Sequence, residues 1–193
     1  MSPTRTPCPT PITPQLSQFS NPHFARGRPA LIEALWVVVA ALFVSSWLPG
    51  YAHRRAVLRL FGARIGRGVA IKPGVRVKFP WKLEIGDHSW IGEDVWIDNL
   101  DEVTIGANCC LSQGAYLCTG SHDWTASRFD LLTRPIRIED GAWVAARATV
   151  APGVTVGQGA VLAIGSVAAT DLEPWGVYLG VPAVRIRERR IAA

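Results

Sequence analysis

The sequence predicts an all-β chain: a parallel β-helix of stacked triangular turns, preceded by a helical segment and followed by a short tail. Three observations predict it. Aliphatic residues recur every six positions from Ile65 onward, and Ile-Gly pairs stand at 65, 85 and 105. The 193 residues are also 49% hydrophobic and include 18 Gly and 14 Pro, which favours strands joined by tight corners over a helix bundle.

The short period is visible at Ile65, Ile71 and Val77, then at Ile85, Ile91 and Ile97, then at Ile105, Leu111 and Leu117. It resumes at Ile138, Val144, Val150, Val156 and Leu162. A period of six is not a helix period, yet it contains the strand period of two. It reads as a short strand plus a corner, with three units per turn of about 18 residues. The aliphatic residue of each unit points inward, and stacking the turns buries a continuous column. The Ile-Gly pairs lie 20 apart, one turn with two extra residues, while Ile138 and Val156 lie 18 apart. About five turns fit between Ile65 and Glu173.

The helix is expected over residues 63–175. Residues 1–20 contain five prolines and are expected to be disordered. Residues 21–62 are expected to be helical. Their most apolar stretch, Ala34 to Trp47, is shorter than the roughly 20 residues a membrane span needs. Two readings of it stay open. It docks on the protein, or residues 30–50 lie on a membrane face beside Arg26, Arg28, Arg54 and Arg55. Residues 176–193 are expected to be a basic tail carrying Arg185, Arg187, Arg189 and Arg190.

The net charge of +5 suits nucleic acid, an anionic membrane or a phosphorylated ligand. Neither a helix-turn-helix pattern nor an aromatic-interleaved basic strand is present, which argues against nucleic acid. Cys8, Cys109, Cys110 and Cys118 form no CxxC pair and have no His at zinc-finger spacing, so they read as reduced thiols of a cytoplasmic protein rather than metal ligands.

The six-residue rhythm stops after Leu117 and restarts at Ile136. Residues 118–135, CTGSHDWTASRFDLLTRP, cannot join the column and form an excursion loop. An interruption in a regular solenoid is where chemistry is expected. The loop holds His122, one of four histidines, directly after a turn-like Thr119-Gly120-Ser121. His88 reads as a solvated corner residue. His23 and His53 lie outside the solenoid and are assigned no chemistry.

The run from Ile71 (IKPGVRVKFPWKLEIGDHSWIGEDVWIDN), then SQGAYLCTGSHDW, EDGAWVAARATVAPGVTVGQGAVLAIGSV and DLEPWGVYLGVPA, resembles the hexapeptide-repeat acyltransferases. Within them it is similar to the colanic-acid-type O-acetyltransferases of exopolysaccharide synthesis. The likeness runs from about Asn21 to Arg190. It implies a left-handed coil, a homotrimer, and acetyl-CoA in a groove between neighbouring subunits, with no metal. It also implies that His122 is the general base toward a sugar hydroxyl. That role suits the side chain whose titration lies nearest neutrality.

By the same resemblance Asn99 positions the acceptor or supports the oxyanion; otherwise it is a structural corner residue. Asp98, Asp123 and Trp124 are expected around the acceptor, and either acid is a candidate to orient His122. Trp143 lines the donor groove or packs at the trimer seam. Ala145, Ala146, Ala163 and Gly165 are the small residues that would let the pantetheine reach the backbone. Thr170 ends the Ala169-Thr170 pair that stands where the family commonly has Thr-Lys, so Arg185 or Arg187 is expected to meet the nucleotide phosphates instead. Gly180-Val181-Pro182-Ala183 replaces the family's frequent Gly-Asn-Pro-Ala, and Ile164 replaces a small residue. Other readings are a non-catalytic scaffold at the inner face of the membrane, and an acetyltransferase for an amino sugar, an antibiotic or serine. A γ-class carbonic anhydrase shares the solenoid but needs three zinc-binding histidines, and the loop offers one.

Overall fold

The computed structural model describes residues 13–192. From Arg64 the chain winds into a parallel β-helix with three faces. The first face stacks Arg64–Ile65, Leu83–Ile85, Val103–Ile105, Ile136–Ile138 and Thr155–Val156. The second stacks Ala70–Ile71, Trp90–Ile91, Cys110–Leu111, Trp143–Val144 and Val161–Leu162. The third stacks Arg76–Val77, Trp96–Asp98, Tyr116–Cys118, Thr149–Val150 and Val167–Ala168.

The register is set by the inward column. Ile65, Ile85, Ile105, Ile138 and Val156 lie one above the next on the first face. Ile71, Ile91, Leu111, Val144 and Leu162 do the same on the second. All of these are buried. Each such side chain contributes about 1.5–3 kcal/mol by leaving water. A one-residue slip would turn the whole set outward, so the pattern admits one register. Corner residues take the left-handed backbone conformation, among them His88 and Asn108. His88 stacks over Gly68, where a Cβ would run into its ring. That packing gives His88 a corner role and requires glycine beneath it.

The two extra residues of the 20-residue turns sit at one corner, between the third and first faces. Asn99 holds that corner. It is fully buried, and its Oδ1 accepts from the backbone N–H of Lys78 at 3.1 Å and of Phe79 at 3.0 Å. Its Nδ2 donates to the Phe79 carbonyl at 2.6 Å. One turn on, Thr119 donates to the Asp98 carbonyl at 2.9 Å and accepts from the Asp101 N–H at 3.0 Å. The side chain expected to position the acceptor is thus occupied by backbone groups, and the structural reading of Asn99 is the one the geometry supports.

Two helices close the open first turn: α1, Ala30–Val39, continued by a wider turn at Ala40–Val44, and α2, Ala52–Leu60. Trp36 is buried and its indole N–H donates to the Val77 carbonyl at 3.0 Å. Val44 and Leu58 join the same core. Arg54 is buried between the helices and donates to the carbonyls of Val44, Ser46, Leu48 and Gly50. One face of α1 therefore docks on the protein.

Two expectations need correction. Of the residues expected to be disordered, 1–12 lie outside the described residues, but Leu16–Gln18 forms a helical turn. The Gln15 N–H donates to the Ser127 carbonyl at 2.7 Å, which ties this segment to the excursion. The basic tail is a hairpin: Gly176–Gly180 extends the second face beyond Val161–Leu162, and Ala183–Glu188 folds back on it. Val177 and Tyr178 are buried there and cover the last turn, while Arg189 donates to the Gly141 and Gly159 carbonyls. Burial of Val177 and Tyr178 on the last turn, rather than charge, decides its structure.

Leu111→Ala is expected to cost about 2–5 kcal/mol of stability through the cavity it leaves. Asn99→Ala is expected to cost about 1–3 kcal/mol through the unpaired corner amides. Chemical denaturation reads both. Unchanged stability with lost turnover in the Asn99 variant would restore its catalytic role.

Candidate active site

The excursion is an ordered hairpin rather than an irregular loop. Gly120–His122 pairs antiparallel with Leu131–Thr133, with His122 opposite Leu131. It leaves the helix at the corner where the earlier turns carry two extra residues. The insertion therefore enlarges an existing bulge, and Ile138 still lands on Ile105 although 33 residues separate them.

The His122 ring is held by two aromatic side chains and a backbone carbonyl. It stacks on Phe129 with ring centroids 4.2 Å apart and planes 9° from parallel. Phe19 packs on it at 5.8 Å. Its Nδ1 lies 2.8 Å from the Phe129 carbonyl oxygen. A carbonyl only accepts, so Nδ1 carries the proton and Nε2 of the neutral ring holds the free lone pair. Phe129 itself sits in the left-handed backbone region, which aims its carbonyl at the ring. Neither Phe129 nor Phe19 was among the residues expected at the site. An aromatic in such a backbone conformation has no sequence signal of its own.

His122, Asp123 and Trp124 share a cleft of about 500 Å³ with Ser121, Leu132, Arg134, Pro152 and Ala169. Trp124 is largely exposed. Asp123 does not orient His122. Its Oδ1 accepts from the Thr125 hydroxyl at 2.6 Å and the Thr125 N–H at 2.9 Å. These bonds, the hydroxyl's first, hold its carboxyl below the ordinary range. Asp98 accepts from the Tyr116 phenol at 3.2 Å. Burial first, then Cys118 and Asp98, push that phenol upward, so it stays protonated and donates. Both acids are therefore committed elsewhere, and the backbone carbonyl of Phe129 takes the orienting part.

The residues expected to meet the acyl donor fall mostly on another edge. Ala145, Ala146, Ala163 and Gly165 form the corner between the second and third faces, beside Trp143. Gly165 is exposed with open space where a side chain would stand. The Trp143 indole N–H donates to the Ser112 hydroxyl at 2.9 Å. Thr170, exposed and next to Ala169, is on the His122 side of the third face. Arg185 and Arg187 are exposed on the terminal hairpin, and no hydrogen bond or ion pair engages either side chain among the described residues. One chain thus places His122 and the alanine corner on opposite edges of the third face.

A second cleft, also about 500 Å³, opens on the second face among Tyr51, Lys72, Trp90, Cys110, Ser112 and Gln113. Trp90 is 63% exposed. These residues were missed. The available signal was Trp90 itself, a large apolar residue at an outward position directly before inward Ile91. Among the described residues no three His, Cys, Asp or Glu side chains gather to hold a metal ion.

No family model matches the chain. Over 177 residues it is 45% identical to "Putative colanic acid biosynthesis acetyltransferase WcaF" of Escherichia coli (strain K12), covering 90% of this chain and 96% of that protein. It is 28% identical over 138 residues to the Galactoside O-acetyltransferase of the same organism, 70% of this chain and 68% of that one. Its fold matches the crystal structure of the hexapeptide-repeat-containing acetyltransferase VCA0836 of Vibrio cholerae O1 biovar eltor, complexed with acetyl coenzyme A. The TM-score is 0.77 at 28% identity, over 91% of this chain and 97% of that one. With a three-faced parallel coil, a His-bearing excursion at one corner and relatives of this length and likeness, the chain belongs to the hexapeptide-repeat, left-handed β-helix acyltransferases and is an acetyltransferase.

Proposed function

We propose that this acetyltransferase moves the acetyl group of acetyl-CoA to a sugar hydroxyl in exopolysaccharide synthesis, at sites between the subunits of a cytoplasmic homotrimer. The observation that carries the reading is the 2.8 Å contact between His122 Nδ1 and the Phe129 carbonyl, which leaves Nε2 as the basic nitrogen. A sugar hydroxyl is a weak nucleophile at neutral pH and needs such a base. His122 takes the hydroxyl proton as the oxygen attacks the thioester carbonyl. The C–S bond then breaks, and the imidazolium returns the proton to the departing thiolate. The donor's thioester supplies the driving force, and no covalent enzyme intermediate is needed.

The acceptor fits the second-face cleft. Trp90 offers a flat apolar surface for the C–H face of a sugar ring, and Tyr51, Lys72, Ser112 and Gln113 offer hydrogen bonds around it. The open Ala163–Gly165 corner has room for the pantetheine arm, and Arg185 and Arg187 are free to meet phosphates. Both lie away from the His122 edge of the same chain. A threefold arrangement that sets the His122 edge of one subunit against the second face of the next would complete the site. The names of two relatives, one for colanic acid biosynthesis and one for galactosides, support a sugar acceptor.

With acetyl-CoA and a panel of hexoses and oligosaccharides, thiol release should depend on His122. His122→Ala is expected to keep the fold and lower turnover by about 10² or more, the low end for a lost general base. Trp90→Ala is expected to raise KM for the sugar and leave KM for acetyl-CoA unchanged. Wild-type turnover in the His122 variant would sink the proposal.

A further inference from the structure

The outer face of α1 has no partner among the described residues. While Trp36 and Val44 point into the core, Leu31, Leu35, Val38 and Leu42 point outward, each more than half exposed. Their spacing of four, three and four residues puts them on one stripe along the helix. Trp47, 74% exposed, stands just past the end of that stripe. No described helix is long and apolar enough to cross a membrane. A stripe of this kind suits a helix lying in the plane of a bilayer surface, with an aromatic residue at the headgroup level.

The charge around the stripe names the surface. Residues 26–67 contain seven arginines and one acid, Glu33, a net charge of +6. The whole chain carries +5, so the remainder carries −1. The one acid is ion-paired to Arg26 at 2.8 Å. Arg54 is buried, and Arg64 and Arg67 pair with Glu84 and Asp87 of the solenoid, whereas Arg28 and Arg59 are exposed and make no ion pair among the described residues, Arg59 donating only to the Ile65 and Gly66 carbonyls. Excess positive charge beside an exposed apolar stripe matches anionic lipid and repels a second copy of the same surface.

We infer that α1 and the turn after it dock this protein on an anionic membrane surface, with Leu31, Leu35, Val38, Leu42 and Trp47 entering the headgroup boundary. This stands apart from the acetyl-transfer reading and does not need it. The inner face of α1 is part of the core, so deletion of the helix would confound binding with unfolding. The test therefore changes only exposed residues of the full chain.

Flotation compares vesicles of phosphatidylcholine with vesicles that also hold about a third phosphatidylglycerol. The wild type is expected to float with the anionic vesicles and to stay behind with the neutral ones. Raised salt should weaken the binding. The combined Leu31→Ser, Leu35→Ser, Leu42→Ser variant is expected to bind at least about tenfold more weakly. Its circular dichroism and subunit number should be unchanged. No flotation of the wild type on anionic vesicles, or equal flotation of the variant, would overturn the inference. A change in the variant's subunit number would overturn it too, and would assign the stripe to contact between copies of the chain.

Discussion

The inward column constrains everything else in this molecule. Each six-residue unit must deliver one aliphatic side chain to the axis, and the next turn must deliver another directly above it. A residue that breaks the count cannot stay in the coil, because it would turn every later side chain outward. It has to leave at a corner and return in register. The corner between the third and first faces already does this on a small scale, where Asn99 and Thr119 satisfy the backbone groups of the extra residues. The His122 hairpin is the same solution enlarged. The core that stabilises the fold and the excursion that holds His122 are two results of one spacing rule.

The hairpin is more than a tether. A histidine on a flexible loop would spend much of its time in the wrong ring orientation. Here Phe129 supplies both a stacking surface and the carbonyl that holds Nδ1, and Phe19 from the N-terminal segment packs tilted against the ring. A backbone carbonyl carries no charge, so it fixes the tautomer without the electrostatic pull of a carboxylate on the ring. The nearby acids are committed elsewhere, Asp123 to Thr125 and Asp98 to Tyr116.

The coil was legible in the sequence because its period repeats over many units and each unit is buried. Every inward residue assigned from the rhythm is buried in the fold. His122 was legible as the lead residue of the break. What escaped has local physical causes. Asn99 has the residue type of a binding amide, yet full burial and three backbone bonds make it a cornerstone, and burial of a corner is not encoded in a motif. Residues 176–193 read as a basic tail because their arginines dominate the composition, although burial of Val177 and Tyr178 governs the hairpin they form. Phe129 acts through its carbonyl, and a carbonyl has no residue type. The second-face cleft is assembled from three turns and Tyr51, just ahead of α2, so no contiguous stretch announces it.

A single chain sets His122 on one edge of the third face and the open corner on the other, so the proposed reaction requires two chains. Mixed assembly tests this most directly. His122→Ala removes the base, and Gln113→Trp fills the second-face cleft at an exposed position without touching the column. Each variant alone should be nearly inactive. Trimers reassembled from equal amounts should recover about a quarter of the wild-type activity per site, because that share of interfaces joins an intact His122 edge to an intact cleft. No recovery from well-formed mixed trimers would place the whole site within one chain and contradict the account.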